Sequence, residues 1–456
     1  MPTISYYLGR SAQSNVEEAL QAAKNASDYN ALLHLTEERA VKRAAMVDAG
    51  EISGRLAGVP FVVKDNFLAF DGPTTAASKI LQNFNAPVQA TVVEKLEAEG
   101  AICIGKANLD SFAHGSSTEN SAFGVTKNAV DPTRVAGGSS GGSAVAVKLG
   151  IVPFSLGTDT GGSIRQPASF NGVVGVKPTY GMTSRYGVVS MASSTDVMGC
   201  FALTAEDAEL VVEIMAGQDS RDMTTLPDYF APEAAKAPMK IGVIRDFMTE
   251  GTDEGVRARV DDYMKQLEAK GHIVEEVSLP MAKYSLAMYY IVVPAEIASN
   301  LARYDGVRYG VRAEGTTTIE ELYGKSREQG FGAESKRRIL IGNYVLSSGF
   351  FDAYYQKAQK ARQLLINEFN ELFSSYDILI SPVVPTTAFG IGENTDDPMK
   401  MYLSDAMTVG VSMAGLPALS VPAGESNGMP VGVQLIANAQ KDALLFDLAK
   451  SMETKQ

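Results

Sequence analysis

Tryptophan is absent from the 456 residues, cysteine occurs only as Cys103 and Cys200, and histidine only as His34, His114 and His272. Two cysteines cannot build a disulfide framework, and no C-x-x-C or Cys/His cluster suggests zinc, so no bound metal and a reducing cytoplasmic location are expected. No run of eighteen apolar residues occurs, and the opening MPTISYYLGRSAQSNVEEAL has no basic segment followed by an apolar one. The sequence therefore predicts no membrane span, no export signal and no membrane partner. Positive charge is also short, with 40 Lys and Arg against 53 Asp and Glu and a formal net charge of −13. A phosphate backbone, whose binding depends on basic side chains displacing counterions, has to be held mainly by another molecule.

What is present is the composition of a folded protein: 45% hydrophobic residues and 42 glycines spread along the chain leave no disordered tract. Residues 1–55 carry helical spacing, with Val16, Ala19, Leu20 and Ala23, then Leu32, Leu33, Leu35, Ala40 and Ala44, and are expected to form a helical lead-in. From Val59 onward short apolar runs such as VPFVV, AICIG, IVPFSL, KIGVI and DILIS alternate with helical patterns. In one of these, Val256, Val260, Met264 and Leu267 share a face and Gly271 is the stop. Such alternation predicts an α/β protein with a mainly parallel sheet, made mixed by a final hairpin, ALSVPAGESNGMPVGVQLI, that turns at Ser426, Asn427 and Gly428. Residues 217–238 and 313–335 are read as surface excursions of a single domain, because strand-like runs on both sides suit one sheet.

Two glycine-rich segments stand out, GGSSGGS at 137–143 and GTDTGGSIRQPASFNG at 157–172. Each is predicted at the end of a regular element, where backbone N–H groups lack internal partners and can face an anion or oxyanion. Gly138 to Gly142 satisfies the G-x-S-x-G elbow of α/β-hydrolases, but that enzyme type needs an acid and then a histidine downstream, and only His272 follows. GAICIGKA at 100–107 follows the phosphate-binding P-loop until Ala107 takes the place of the magnesium-binding hydroxyl, which favours a strand and a turn.

A nucleophilic serine needs a base. His34 lies in the helical lead-in and His272 between a helix and a strand; His114 is the one histidine near glycine-rich sequence and stays open as a candidate. The alternative is Lys64, which ends VPFVVK. Lysine is neutral only about one time in a thousand near pH 7, so a base at this position needs its pKa lowered by roughly three units, about 4 kcal/mol of desolvation or cationic neighbours. Taken alone, Lys64 also fits a snorkelling side chain at a strand end.

Together, Lys64 and the two glycine-rich segments resemble the amidase signature family. Lys64 and Ser139 are 75 residues apart and Ser139 and Ser163 are 24 apart, as in that family's Lys, cis-Ser, Ser triad. The resemblance implies an α/β/α sandwich around a large mixed sheet, with Ser163 as nucleophile, Ser139 as relay and neutral Lys64 as base. The N–H groups of Thr160, Gly161, Gly162 and Ser163 would form the oxyanion hole, and Ser140, Asp159 and Arg165 would support the loops. YYIVVPAEIASNLARYDGVRYG, KRRILIGNYVLSSGFFDAYYQKAQKAR and DDPMKMYLSDAMTVGVSMAGLPALSVPAG extend the likeness to the A subunits of glutamyl-tRNA(Gln)/aspartyl-tRNA(Asn) amidotransferases, over essentially the whole chain.

That likeness implies a glutaminase that supplies ammonia to a heterotrimer. Glutamine would be held by Tyr289, Arg338 and Asp405, an arginine fork suiting the α-carboxylate and an aspartate the α-ammonium. It further implies a B subunit that binds the mischarged tRNA and uses ATP and magnesium, and a small C subunit, with no cofactor in this chain. The other readings are a free-standing hydrolase of a small amide and a non-catalytic scaffold subunit. The sequence departs from the family pattern at Asn128, Ala129 and Val130, at Pro294 and Ala295, and at Ser412, as well as in having no tryptophan.

Overall fold

In the computed structural model, which describes residues 1–227, 238–248 and 251–453, the apolar runs become eleven strands. They are β1 (Leu32–Leu35), β2 (Pro60–Lys64), β3 (Ile102–Ala107), β4 (Phe154–Asp159), β5 (Val174–Lys177), β6 (Val197–Ala202), β7 (Lys240–Ile244), β8 (Ile273–Val277), β9 (Ile378–Pro382), β10 (Ala418–Ser426) and β11 (Met429–Ala437). All eleven lie in one sheet, in the order β1-β3-β2-β4-β6-β5-β10-β11-β9-β7-β8.

The period of two along each strand sends alternate residues to opposite faces. Phe61, Val63, Cys103, Ile378, Ile380 and Leu435 pack under the helices Thr91–Ala98, Ala205–Met215, Glu254–Ala269 and Asp442–Met452. On the other face, Val62, Ile102 and Ile104 meet the helices Ala12–Asn25, Glu37–Asp48, Gly141–Lys148 and Arg165–Asn171. Farther along that face, Leu379, Ala418 and Ile436 meet Ala282–Asn300 and Lys357–Phe373. Helices on both faces of a mixed sheet make the α/β/α sandwich.

Two expectations need correction. The sheet is not mainly parallel: β2 runs parallel to β3 and β4, and β7 to β8 and β9, but the strands between these wings pair antiparallel. The cause lies in the connections, since β5 returns to β6 without a crossover helix and β10 turns into β11 through Asn427 and Gly428, both at positive φ. Leu32, Leu33 and Leu35 belong to β1, not to a helix, so His34 sits on an edge strand opposite Lys106; four residues are too few for their period to be read. The stretch 313–335 contains the helix Ile319–Gly330, capped by Thr318. Of 217–238, residues 228–237 lie outside the described residues. Among the described residues no helix is long and apolar enough to cross a membrane.

The parallel wing β3-β2-β4 directs the carboxyl ends of three neighbouring strands, Lys64, Ala107 and Asp159, to one side of the sheet. Open α/β sheets place their sites beyond such ends, and both glycine-rich segments lie there.

Candidate active site

Lys64 ends β2, and with strands on both sides its side chain is fully buried. It does not snorkel. Its Nζ lies 2.7 Å from Ser139 Oγ, 2.9 Å from Thr158 Oγ1 and 3.5 Å from the Thr158 carbonyl oxygen. Burial brings its pKa down to about 7, although the carboxylates of Asp110, Asp159 and Asp196 pull the other way. Three N–H donors of an ammonium would suit these three contacts, and so would a neutral amine with two N–H groups toward Thr158 and its lone pair toward the Ser139 hydroxyl. Asn66 Nδ2 also donates to Thr158 Oγ1, at 3.1 Å.

Ser139 follows a cis peptide bond from Gly138 and leads into the helix Gly141–Lys148. Its carbonyl accepts from Asp110 N at 3.2 Å, and Ser140 N donates to the Ser163 carbonyl at 3.1 Å, which ties the two glycine-rich loops together. Ser140 Oγ donates to the Thr158 carbonyl at 3.2 Å, so it holds the end of β4. A Cβ at Gly138 would stand 2.2 Å from Asp110 Oδ2 and 2.7 Å from Ser117 N. Asp110 cannot yield, because Thr118 N and Asn120 N hold its carboxylate. Gly138→Ala is therefore expected to lower stability by about 2 kcal/mol and to depress amide hydrolysis, as thermal melts and initial rates can measure.

The loop after β4 is built on Asp159. This buried carboxylate pairs with Arg165 through Nη2 at 2.8 Å and Nε at 3.0 Å. Burial alone would raise its pKa, but Arg165, Lys177 and a backbone N–H hold it at about 2. Arg165 is braced in turn by the Thr408 carbonyl and Gln434 Oε1, and by Ser412 Oγ at 2.7 Å. Asp159 and Arg165 thus lie beneath the loop. Of the four N–H groups expected to face an oxyanion, that of Gly162 instead donates to Asp159 Oδ1 at 2.9 Å. Those of Thr160, Gly161 and Ser163 have no acceptor among the described residues. Gly162 has φ +136, and a Cβ there would stand 2.3 Å from Thr408 Oγ1. Thr160 Oγ1 donates to buried Asp196 at 2.7 Å, and Thr408 Oγ1 donates to the Gly161 carbonyl. Ser163 is 9% exposed, whereas Lys64 and Ser139 are sealed.

The helix Ala282–Asn300 presses Tyr289 against this loop so closely that a Cβ at Gly161 would stand 2.6 Å from the tyrosine oxygen. Tyr290 OH donates to Asp405 Oδ2 at 2.9 Å. Burial raises the pKa of Asp405 to about 7, with Tyr290 and Arg338 opposing. Arg338 lies on the helix Ala333–Leu346, beside a cleft that Ser117, Asn120, Glu334, Met401 and Tyr402 also line. A positive and a negative group therefore share the same Tyr290–Tyr402 aromatic wall, whose rings stack 4.0 Å apart.

The histidines go elsewhere. His114 is buried, its Nδ1 is 2.9 Å from Ser335 Oγ, and desolvation keeps its pKa well below the usual value. His272 Nδ1 accepts from Met239 N. The departures from the family pattern also find places. Ser412 belongs to the Arg165 brace. Pro294 and Ala295 lie within the helix Ala282–Asn300, and the Pro294 carbonyl packs onto Gly342. Asn128 Nδ2 donates to the Val135 and Phe170 carbonyls, and Ala129 N donates to Asn171 Oδ1.

Comparison with known proteins bears on this geometry. The profile of the Amidase family matches residues 14–446. The chain is 51% identical to the A subunit of glutamyl-tRNA(Gln) amidotransferase from Thermosynechococcus vestitus over 459 aligned residues, covering 98% of this chain and 92% of the relative. It is 48% identical to the protein of the same name from Macrococcus caseolyticus, covering 94% and 90%. The crystal structure of the A subunit of glutamyl-tRNA(Gln) amidotransferase from Thermotoga maritima superposes with a TM-score of 0.84 at 40% identity, covering 99% of this chain and 94% of that one.

Proposed function

We propose that this chain, which belongs to the amidase family, is the glutaminase subunit of a tRNA-dependent amidotransferase. The contact that carries the proposal is the 2.7 Å approach of buried Lys64 Nζ to Ser139 Oγ, beside the loop that bears Ser163. Neutral Lys64 draws the Ser139 proton, and Ser139 in turn takes that of Ser163. Ser163 Oγ attacks the side-chain amide carbon of glutamine, and the unengaged N–H groups of Thr160, Gly161 and Ser163 stabilise the oxyanion. One such donor typically contributes about 3 kcal/mol to the transition state. The C–N bond then breaks, the relay returns its proton to the nitrogen, and ammonia departs from a glutamyl ester. Water opens the ester by the same relay, releasing glutamate and restoring Ser163.

The near relatives named as amidotransferase subunits support the tRNA-linked role, and the net charge of −13 suits a chain that leaves tRNA to a partner. On this reading a B subunit holds Glu-tRNA(Gln), Asp-tRNA(Asn) or both and uses ATP and magnesium, while a C subunit completes the heterotrimer. An exposed aromatic cluster, in which Tyr344, Phe350 and Tyr354 pack on one another, supports a protein that does not work alone. Two free, buried cysteines suit the cytoplasm, and strands on both sides of 217–238 sharing one sheet suit a single domain.

Arg338→Ala tests the substrate. Loss of a charge-assisted contact to the α-carboxylate, about 1.5–3 kcal/mol, is expected to raise the KM for glutamine roughly 10- to 150-fold and to leave hydrolysis of a neutral amide intact. Equal losses on both substrates would favour a free-standing amidase. Copurification of two further subunits from the native cell tests the assembly, and labelling of Ser163 by an acylating probe, absent in Ser163→Ala, distinguishes an enzyme from a scaffold.

A further inference from the structure

Arg338 is held from one side only. It is 3% exposed, yet its only hydrogen bond among the described residues runs from Nε to Glu334 Oε1, at 2.8 Å, leaving Nη1 and Nη2 without an acceptor. The guanidinium carbon lies 4.9 Å from the Tyr290 ring centre and 5.4 Å from that of Tyr402. Glu334 is fixed as well: Tyr402 OH donates to Oε1 at 2.9 Å, and Arg337 Nη1 pairs with Oε2. Two aromatic rings and one carboxylate oxygen therefore set the plane and rotation of a side chain that would otherwise sample many rotamers.

A buried carboxylate beside an anion-binding arginine is electrostatically adverse, since its charge opposes that of any incoming anion. Its useful contribution is direction. We infer that Glu334, aided by Tyr402, is a positioning residue that turns the Nη edge of Arg338 toward the α-carboxylate of the substrate and so sets the preference for an amino-acid amide over a neutral one. This rests on the glutamine reading above. Position, not charge, is what Glu334 supplies, so a neutral group that accepts the same Nε–H bond should serve as well. Glutamine can do so, because Arg337 is 44% exposed in its side chain and can swing into solvent when Oε2 becomes an amide nitrogen.

The test compares the full chain, with the subunits that copurify, as wild type, Glu334→Ala, Glu334→Gln and Tyr402→Phe. Three substrates serve: L-glutamine; glutarate monoamide, which keeps only the carboxylate; and butanamide, which has neither charge. Glu334→Ala is expected to raise the KM for glutamine and for the monoamide about 10- to 100-fold. Its kcat for glutamine should stay within about threefold of wild type, and its butanamide kinetics should not change. Glu334→Gln should restore the glutamine KM to within about threefold, and Tyr402→Phe, which keeps the ring, should show the same split at roughly threefold size. Should Glu334→Ala fold poorly, the Tyr402→Phe split still decides the matter. An unchanged KM in both variants, a parallel loss on butanamide, or a Glu334→Gln enzyme as impaired as Glu334→Ala would each overturn the inference alone. A wild type that hydrolyses butanamide as readily as glutamine would overturn the glutamine reading, and the inference with it.

Discussion

Lys64→Met is expected to lower kcat for amide hydrolysis about 10⁴-fold and, at the same time, to make the protein harder to unfold. The rate falls because no other group receives the serine proton: Ser139 Oγ is 2.7 Å from Lys64 Nζ, and no histidine bonds to either serine among the described residues. The stability gain follows from the pKa. Folding lowers it from 10.5 to about 7, chiefly through burial. Between those values the unfolded chain binds the proton that the folded chain has released, so stability rises with pH across that window. At pH 7 the native state bears most of the cost of this fall in pKa, about 4 kcal/mol. Methionine has no such cost but gives up the contacts to Ser139 and Thr158, about 1 kcal/mol each. A net gain of about 2 kcal/mol near pH 7 should appear in denaturant unfolding. A variant that is inactive and also less stable at every pH would assign Lys64 to architecture.

The same pKa shapes the activity of the intact protein. kcat should fall about tenfold per pH unit below about 7, as Lys64 takes up its proton and can no longer accept one. Asp405, raised to about 7 by burial, loses its charge over the same range, and that loss should enter the KM for glutamine. For butanamide, which has no ammonium, the KM limb should be missing.

Ser163→Ala is the other large effect, a loss of about 10⁵-fold or more in kcat. On the proposed mechanism this removes the nucleophile and with it the acyl-enzyme route, and the fold should be untouched, because the backbone bond from Ser140 N to the Ser163 carbonyl stays. Ser139→Ala interrupts the relay at its middle. On the proposed relay the three side chains act together, so Ser139→Ala combined with Lys64→Met should be little worse than either alone. Multiplicative losses would mean two independent proton paths.

How much of this could be read from the chain depends on range. VPFVVK by itself fits a snorkelling lysine as well as a buried one, and only its spacing to the serines of the glycine-rich segments, through the family resemblance, points to a buried base; Lys64 and Ser139 do meet, across 75 residues. Asp159 and Arg165 were legible as a brace because they share one loop. Glu334, Tyr290 and Tyr402 were not, since they come from three separate helices that converge only through tertiary packing. Thr158, inside the second glycine-rich segment, and Asn66, two residues after Lys64, flank the lysine site without any pattern that singles them out, and Asp196, which accepts from Thr160, lies in no motif. β1 was missed because its four residues have no measurable period. The antiparallel centre was missed because helix-free connections leave little trace in apolar patterning.

The most direct test is to follow the Lys64 side chain itself by NMR of protein labelled with carbon-13 at the lysine ε position. Its signal would be assigned by its disappearance in Lys64→Met, which also separates it from buried Lys177, another lysine lowered to about 7. A Lys64 resonance that titrates with a midpoint near 7 is the predicted result. A midpoint near about 10, the value of a free lysine, would contradict the account.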